Sequence, residues 1–366
     1  MGGLYDELQQ ENRAEGRKRI LRFGADRDAI CELVFNTSMV GYQEIISDPS
    51  YTDQMVLMTY PIIGNYGITD EDFEAKAPTI GSLAVRDYND IPSNFRYTET
   101  LSEILKEYQI PAISEIDTRM LTRIIRDEGS QNVLLTSAEM PKEEAVSILE
   151  GYKPRTDAVA RVSCKKKWYS RTSNPLYNVV AIDCGIKHNI IRCLNRYRCN
   201  VTIVPYNTSP AEILSLRPDG LFISNGPGNP EDVVPVIETI RALIGKLPIF
   251  GIALGHQLIA LACGAKTYKM KFGHRGGNSV KNISTDKLEM TSQNHSYTVL
   301  ESSLKDTGLK ITHINVLDQT IEGLSDESKR IFSVQYNPES APGPQDSLYL
   351  FDQFINIMET EVRTHA

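Results

Sequence analysis

The stretch that most constrains the fold is LPIFGIALGHQLIALA, residues 247–262, where an apolar strand passes through a tight turn into an apolar helix. Glycines stand at 251 and 255, on either side of Ala253. A turn of the form Gly-x-Nuc-x-Gly usually holds a nucleophile on a strained elbow, because small flanking residues let the backbone bend. Alanine has no nucleophilic atom. The sequence therefore predicts the backbone of a reactive site without its reactive side chain.

The same alternation of strand and helix runs through residues 178–262. Apolar strands are predicted at 178–183, 200–206, 220–225 and 247–252, and helices at 186–197, 209–217, 231–246 and 255–262. Continuous apolar strands separated by helices predict a doubly wound, mostly parallel sheet. Ligands of such sheets bind beyond the carboxyl ends of the strands. Three features fall there, namely the NGPGNP loop (225–230), the Ala253 turn and Cys184.

The first 150 residues carry mixed signals. Strands with Gly and Pro turns are predicted in LVFNTSMVGYQEIISDPSY (33–51) and QMVLMTYPIIGNYG (54–67), and helices in TETLSEILKEYQ (98–109) and DTRMLTRIIRDEG (117–129). These patterns indicate a mixed α/β domain.

Residues 151–177 lack clean periodicity and are rich in basic residues, Ser, Thr and Pro. We therefore predict three segments. They are an N-terminal mixed α/β domain at 1–150, a linker at 151–177, and a doubly wound α/β domain at 178–366.

Composition excludes several classes of function. The net charge of -8 gives no electrostatic footprint for nucleic acid or an anionic membrane. No apolar run is long enough to span a bilayer, and the N-terminus is too charged for a signal peptide. Six cysteines without C-x-x-C spacing indicate reduced thiols and a cytoplasmic location. No phosphate loop is present and the histidines are scattered, so we expect no nucleotide or metal site.

Seven longer motifs are more specific. They are VFNTSMVGYQEIISDPSY (34–51), YPIIGNYGITDEDFE (60–74), EIDTRMLTRIIRDEG (115–129), SNGPGNPED (224–232), FGIALGHQLIALACGAKTYKMKFGHRGGN (250–278), TSQNHSYTV (291–299) and FSVQYNPESAPGPQD (332–346). With them the chain resembles the small subunit of carbamoyl-phosphate synthetase from about residue 30 onward. The second half alone resembles the wider class I glutamine amidotransferases.

The resemblance implies a specific chemistry. In this family an elbow cysteine attacks the side-chain amide of glutamine, a histidine serves as its base, and a glutamate orients the histidine. The ammonia passes through a tunnel to a large subunit. That subunit uses ATP, with Mg²⁺, and bicarbonate to make carbamoyl phosphate for pyrimidine and arginine synthesis. The implied partner is this large subunit, and no cofactor is expected in the present chain.

Carried onto this sequence, the family's cysteine falls on Ala253, its histidine on Asn337 and its glutamate on Glu339. The positions that hold the oxyanion and the glutamine fall on Ser50, Gly226, Gly228, Leu254, Gln257, Asn294, Ser296 and Tyr297. Ser296 and Glu115 stand where the family has glycine. The family's opening strand, LEDG, is not recognisable in residues 1–25, so we expect that strand to be altered or lost.

These replacements remove the chemistry. Thiolate attack needs sulfur, and the amide of Asn337 does not titrate near neutral pH, so the chain alone should not hydrolyse glutamine at a useful rate. The amide can still donate a hydrogen bond to Glu339. No other residue is expected to substitute. Cys263, about 15 Å along the elbow helix, and Cys184 are predicted to be inert packing, and His256 and His295 to make structural hydrogen bonds.

Three functions remain open. The first is a structural or regulatory small subunit that docks on the large subunit, with free ammonia as nitrogen source. The second is an engineered inactive copy of an active glutaminase, although one substitution would suffice for that and three positions depart. The third is a non-catalytic module that binds L-glutamine without turnover.

Overall fold

The computed structural model describes residues 20–138 and 140–365, with only the backbone described for 360–365. The expectation for a non-secretory N-terminus concerns residues outside this range. The chain divides into two compact units, Met1–Arg155 and Thr156–Ala366. Within the described residues, no helix is long and apolar enough to cross a membrane.

The first unit is a mixed α/β domain. Its elements are β1 (Leu21–Gly24), β2 (Ala29–Asn36), α1 (Tyr42–Ser47), β3 (Gln54–Met58), β4 (Ile62–Ile63), β5 (Ser82–Ala84), β6 (Asp87–Tyr88), α2 (Leu101–Glu107), β7 (Pro111–Ser114), α3 (Thr118–Glu128), β8 (Gln131–Leu135) and α4 (Lys142–Gly151). A six-stranded sheet has the order β1-β7-β5-β3-β2-β8, and β4 pairs with β6. The four central strands are parallel and the two edges antiparallel.

One local expectation in this unit differs from the structure. Residues predicted as strand form the helix α1, whose Tyr42 ring stacks on Tyr66 with centroids 4.0 Å apart. Gln43 donates to the carbonyl of Thr69 and accepts from its N–H, so tertiary bonds fix this short helix. The first strand of the described residues, β1, covers residues 21–24 with the sequence LRFG and pairs with β7. The prediction that the family's LEDG strand is altered or lost concerns residues 1–25, most of which lie outside the described range.

The second unit contains the remaining elements. They are α5 (Ala158–Val162), β9 (Trp168–Ser170), β10 (Tyr177–Asp183), α6 (His188–Arg196), β11 (Cys199–Pro205), α7 (Pro210–Ser215), β12 (Gly220–Ile223), α8 (Val234–Leu243), β13 (Ile249–Ile252), α9 (Leu254–Ala262), β14 (Thr267–Asn282), β15 (Leu288–Val299), β16 (Lys310–Asn315), β17 (Ile321–Asp326), β18 (Ile331–Val334) and α10 (Tyr349–His365). The predicted linker region contains α5 and β9, and β9 pairs with β11.

One ten-stranded sheet organises this unit, in the order β15-β14-β16-β17-β18-β13-β12-β10-β11-β9. Its core of β11, β10, β12, β13 and β18 is parallel, which confirms the predicted α/β class. The strands β14 to β17 extend the core as an antiparallel wing that the sequence patterns did not predict.

Both faces of the parallel core are covered. Alternate residues of β10 illustrate this, since Val179 and Ala181 pack with α6 and α10 on one face, while Val180 and Ile182 pack with α8 and α9 on the other. Strands buried on both faces read as continuous apolar runs. The carboxyl ends of β10, β12, β13 and β18 therefore meet at one edge of the sheet, where the candidate site lies.

Candidate active site

The elbow between β13 and α9 has the backbone of a nucleophile-bearing turn. Its apex, Ala253, has φ 52° and ψ -107°, a conformation that side-chain-bearing residues rarely adopt. Such strain costs about 1–3 kcal/mol and persists only where the surroundings impose it. The N–H of Ala253 donates to the carbonyl of Val334 at 2.9 Å, which ties the apex to β18.

The two flanking glycines are required by close backbone contact. A Cβ on Gly255 would lie 2.2 Å from the carbonyl oxygen of Ile223, and one on Gly251 would lie 2.8 Å from the carbonyl carbon of Gly255. Real Cβ atoms do not approach other atoms so closely. The elbow helix therefore packs directly on the backbone of β12, and the two glycine contacts fix the form of the turn.

The loop after β12 brings two more predicted site residues together. A Cβ on Gly226 would lie 2.2 Å from the carbonyl oxygen of Cys184 and 2.9 Å from Cδ2 of Leu254. Gly226 thus sits against both the end of β10 and the first residue of α9. Gly228 follows with φ +87°, 3.4 Å by the same measure from Cβ of Ala158.

The two remaining triad positions form a direct pair. Nδ2 of Asn337 donates to Oε1 of Glu339 at 2.8 Å, as expected for an amide in place of an imidazole. Lys187 also donates to that oxygen at 2.9 Å, and to the carbonyl of Ser340 at 2.5 Å. The side chains of Lys187 and Glu339 are 3% and 0% exposed. Glu339 is therefore the centre of a buried ion pair.

Lys187 was missed in the sequence. Its only signal is a lysine directly after the apolar strand β10, in the stretch CGIKHN, where a buried cation needs a buried anion as partner.

The glutamine-pocket positions on α9 and β15 are linked by hydrogen bonds. Nε2 of Gln257 donates to the carbonyl of Tyr297 at 2.7 Å and to Oε1 of Gln335 at 3.0 Å. Asn294 lies on β15 and is 9% exposed. The hydroxyl of Ser296 accepts from the guanidinium of Arg275.

Asn337 joins the same strand, because its N–H donates to the carbonyl of Ser292 at 2.8 Å. Ser50 belongs to the first unit. It lies in a short 3-10 helix, Pro49–Tyr51, and its N–H donates to Asp48.

The expected structural roles of two histidines and two cysteines have specific causes. Nδ1 of His256 lies 2.9 Å from the hydroxyl of Ser333, and burial lowers the pKa of His256 to about 3. His295 has partners on both ring nitrogens. Burial raises the pKa of the Cys184 thiol well above its usual range, and Cys184 packs within an apolar cluster. Burial also raises the pKa of Cys263.

Three ionisable side chains that are scattered in the sequence meet in the antiparallel wing. One ligand-type atom from each of His274, His295 and Glu322 lies within 4.8 Å of the others, and all three residues are buried. Oε1 of Gln293 lies 3.2 Å from Nδ1 of His274 and 2.8 Å from Nε2 of His295. With Asn315, whose Nδ2 donates to Glu322 at 3.4 Å, these residues form what we call the buried polar cluster.

The electrostatics of this cluster are strongly perturbed. Burial alone would lower the pKa of His274, but hydrogen bonds to Asp318 and Glu322 outweigh it and raise this pKa to about 9. Burial, followed by the charge of His274, lowers the pKa of His295. Burial raises the pKa of Glu322 despite its bond to His274. Sequence reasoning missed the cluster because its members come from four strands and share no local spacing.

The site at the carboxyl edge of the sheet thus keeps a frame for acyl transfer. The frame comprises the strained elbow, the glycine loop beside it and an acidic residue paired with the former base position. The apex side chain is a methyl group and the base position is an amide. Neither can form a bond to a carbonyl carbon nor accept a proton near neutral pH.

Comparison with known proteins matches both halves of the chain. Residues 8–135 match the family "Carbamoyl-phosphate synthase small chain, CPSase domain", and residues 180–357 match "Glutamine amidotransferase class-I". The chain is 53% identical to the carbamoyl phosphate synthase pyrimidine-specific small chain of Halalkalibacterium halodurans, over 92% of this chain and 93% of that protein. It is 50% identical to the small chain of Staphylococcus epidermidis, over 92% of each. The small chain of Listeria innocua is 48% identical over 92% of this chain and 93% of its own length.

Proposed function

The chain belongs to the family of carbamoyl phosphate synthase small chains, and from this premise we propose that it is a small subunit without glutaminase activity of its own. It docks on a large subunit as a structural or regulatory partner, and the synthetase reaction then takes free ammonia as its nitrogen source. The pathways served are those of the family, pyrimidine and arginine synthesis. The observation that carries the proposal is the methyl side chain of Ala253 at the apex of an intact elbow.

The size of the expected defect follows from how triads work. Removing the nucleophile of a catalytic unit costs about a million-fold in kcat, and losing the base as well adds little. Oxyanion stabilisation by itself leaves roughly a thousand-fold over water. That residual rate cannot feed a synthetase.

The replacements also leave the fold undisturbed, which supports a retained structural role. The elbow glycines keep their close contacts, and the Asn337 amide supplies the hydrogen bond to Glu339 that an imidazole N–H would supply. A subunit that still has to fold and dock would tolerate these two changes and lose only the chemistry.

The decisive experiment is ammonia release from glutamine by the purified chain, with and without a cognate large subunit. We expect none above background in either case, while carbamoyl phosphate forms from added ammonium chloride in the complex. Co-purification with the large subunit tests docking separately. Glutamine-dependent ammonia release by the unaltered chain contradicts the proposal and directs attention to Cys184.

The matched controls are Ala253→Cys, Asn337→His and the double variant. Release by the double variant alone means that the glutamine pocket is intact and lost only its chemistry. Binding of radiolabelled glutamine by the unaltered chain, without release and without affinity for the large subunit, instead assigns it the role of a glutamine-binding module. The hydrogen-bonded Gln257 and Tyr297 support that second candidate.

A further inference from the structure

The positions of the ring protons on His274 and His295 are set by partners that can only accept hydrogen bonds. Nε2 of His274 lies 2.9 Å from the carboxylate of Asp318, and Nδ1 of His295 lies 2.7 Å from the carbonyl oxygen of Tyr297. Each of these ring nitrogens must therefore carry the proton. The other two nitrogens, Nδ1 of His274 and Nε2 of His295, are left with lone pairs that point into the cluster.

These two nitrogens face mainly acceptors, apart from the Asn315 amide, whose Nδ2 lies 3.5 Å from Nδ1 of His274. Nδ1 of His274 lies 3.3 Å from Oε1 of Glu322, and Nε2 of His295 lies 2.8 Å from Oε1 of Gln293. A second proton on His274 would satisfy the contact with Glu322. It would leave His295 and Gln293 facing each other as two acceptors in a buried site, which is costly.

Reversing the Gln293 amide does not remove the mismatch. Its Nε2 donates to Glu322 at 3.0 Å and to Thr291 at 3.2 Å. Exchanging the two atoms would turn an amide oxygen toward the Glu322 carboxylate. While Glu322 is ionised, the arrangement therefore calls for a positive charge between the two imidazoles, the carboxylate and the amide oxygen.

We propose that His274 Nδ1, His295 Nε2 and Glu322, with the amide oxygen of Gln293, bind a divalent transition-metal ion of the zinc class. Two imidazoles favour zinc, nickel, copper or iron over magnesium and calcium, which prefer oxygen ligands. Tetrahedral zinc with ligands at about 2.1 Å needs ligand atoms about 3.4 Å apart. The Gln293 oxygen lies 2.8 Å from Nε2 of His295 and 3.2 Å from Nδ1 of His274, and the ligand atoms of His274, His295 and Glu322 all lie within 4.8 Å of one another. Small side-chain movements would bring these atoms to tetrahedral spacing.

The surroundings match those of known metal ligands. A metal-bound histidine almost always donates its other ring N–H to a carboxylate or a backbone carbonyl. His274 does so to Asp318 and His295 to Tyr297. The carboxylates of Glu322 and Asp318 balance a divalent charge, while the nearby guanidinium of Arg275 opposes it. Since His274, His295 and Glu322 are all buried, the ion would be structural and would exchange slowly.

The test is the metal content of the full, untagged chain produced in zinc-supplemented medium and freed of unbound metal by gel filtration. We expect about one zinc per chain. Cobalt in place of zinc should give the visible absorption of tetrahedral nitrogen and oxygen ligation. A chain that is folded by circular dichroism and holds no zinc overturns the proposal, because hydrogen atoms then fill the cluster instead.

Variants assign the site. His295→Gln and Glu322→Gln should lose the zinc, and Asp318→Asn should weaken it by about 10–100-fold in competition with a chelator. The matched control is His313→Gln, which removes another buried histidine of the same wing. It should keep the zinc. Equal loss of zinc from His313→Gln and His295→Gln would contradict the assignment.

Discussion

The two halves of the candidate site are held by different means. At the elbow, the backbone fixes the geometry through the contact of Gly255 with Ile223 and the bond from Ala253 to Val334. Across the site, side chains fix the geometry, through the bonds of Asn337 and Lys187 to Glu339. The elbow half, which we also call the backbone half, would keep its form with almost any small residue at its apex. The half that contains Asn337, the side-chain half, would not keep its form without a hydrogen-bond donor at position 337.

Under the proposed function, this difference explains which residues stand at the family's cysteine and histidine positions. A position held by the backbone could lose its side chain down to a methyl group without a penalty in folding. A position held by side chains needed an N–H aimed at a buried carboxylate, and asparagine supplies one. The residue at each position therefore matches the local source of stability. Three substitutions test the comparison, each aimed at one half.

The largest effect is expected from Lys187→Met, which breaks the side-chain half. It leaves the fully buried carboxylate of Glu339 without its cation. Removing one partner of a buried ion pair costs about 3–5 kcal/mol, because the remaining charge is desolvated and uncompensated. Denaturant unfolding monitored by circular dichroism should show this loss in the free energy of unfolding.

The control is the same substitution in an exposed pair, Lys281→Met, which loses the ion pair with Asp286. Exposed pairs contribute about 0–1 kcal/mol. The double variant Lys187→Met/Glu339→Gln should recover much of the loss, since it removes the orphaned charge. If Lys187→Met and Lys281→Met cost the same, the side-chain half is not held as described.

The next effect concerns acid and the elbow half. His256 lies in the first turn of α9, and its folded pKa of about 3 lies below the unfolded value of about 6.5. Between these values the unfolded chain binds a proton that the folded chain does not. Stability is therefore fully present above about pH 6.5 and falls as the pH is lowered, by about 2 kcal/mol from pH 7 to pH 5.

Unfolding free energies of His256→Gln at pH 7 and pH 5 check this step. Between pH 7 and pH 5 the variant should lose about 2 kcal/mol less stability than the unaltered chain, because it has no imidazole at this position. Ser333→Ala keeps the imidazole but removes its hydroxyl partner, so it should be less stable at pH 7 and retain the acid slope. An unchanged slope in His256→Gln would show that the elbow half is not the source of acid sensitivity.

The backbone half of the site was predictable and the side-chain half only in part. The strands β10 to β13, the elbow and the glycine loop carry local patterns of apolar runs and glycines, so the sequence places them at one edge of a parallel sheet. Asn337 and Glu339 were found through the family motif. Lys187 was not, because its partner lies 152 residues away and no local pattern links them.

The antiparallel wing was missed for a related reason. β14 runs for 16 residues with the sequence TYKMKFGHRGGNSVKN, and its buried segment, residues 273–276, consists of glycines, a histidine and an arginine. Strand patterns are recognised by alternating apolar residues. Here the buried residues are polar or glycine because the strand contributes to the buried polar cluster. The sequence of the strand therefore shows no alternation of apolar and polar residues. The four strands of the cluster bring together residues that sequence spacing cannot relate.

The smallest effect is expected at the apex itself, where Ala253→Gly removes only the methyl side chain. Glycine adopts φ 52° without the strain that Cβ causes, which favours the folded state by about 1 kcal/mol, the lower end of the range for such strained residues. It also gives the unfolded chain more freedom, which opposes this by about 0.5–1 kcal/mol. The free energy of unfolding should therefore be unchanged or up to about 0.5 kcal/mol higher.

The matched control is Ala260→Gly, in the interior of the same helix, where no strain is relieved and a loss of about 1 kcal/mol is expected. Equal losses in the two variants would mean that the elbow stores no strain, and the backbone would then no longer distinguish this half of the site from the other.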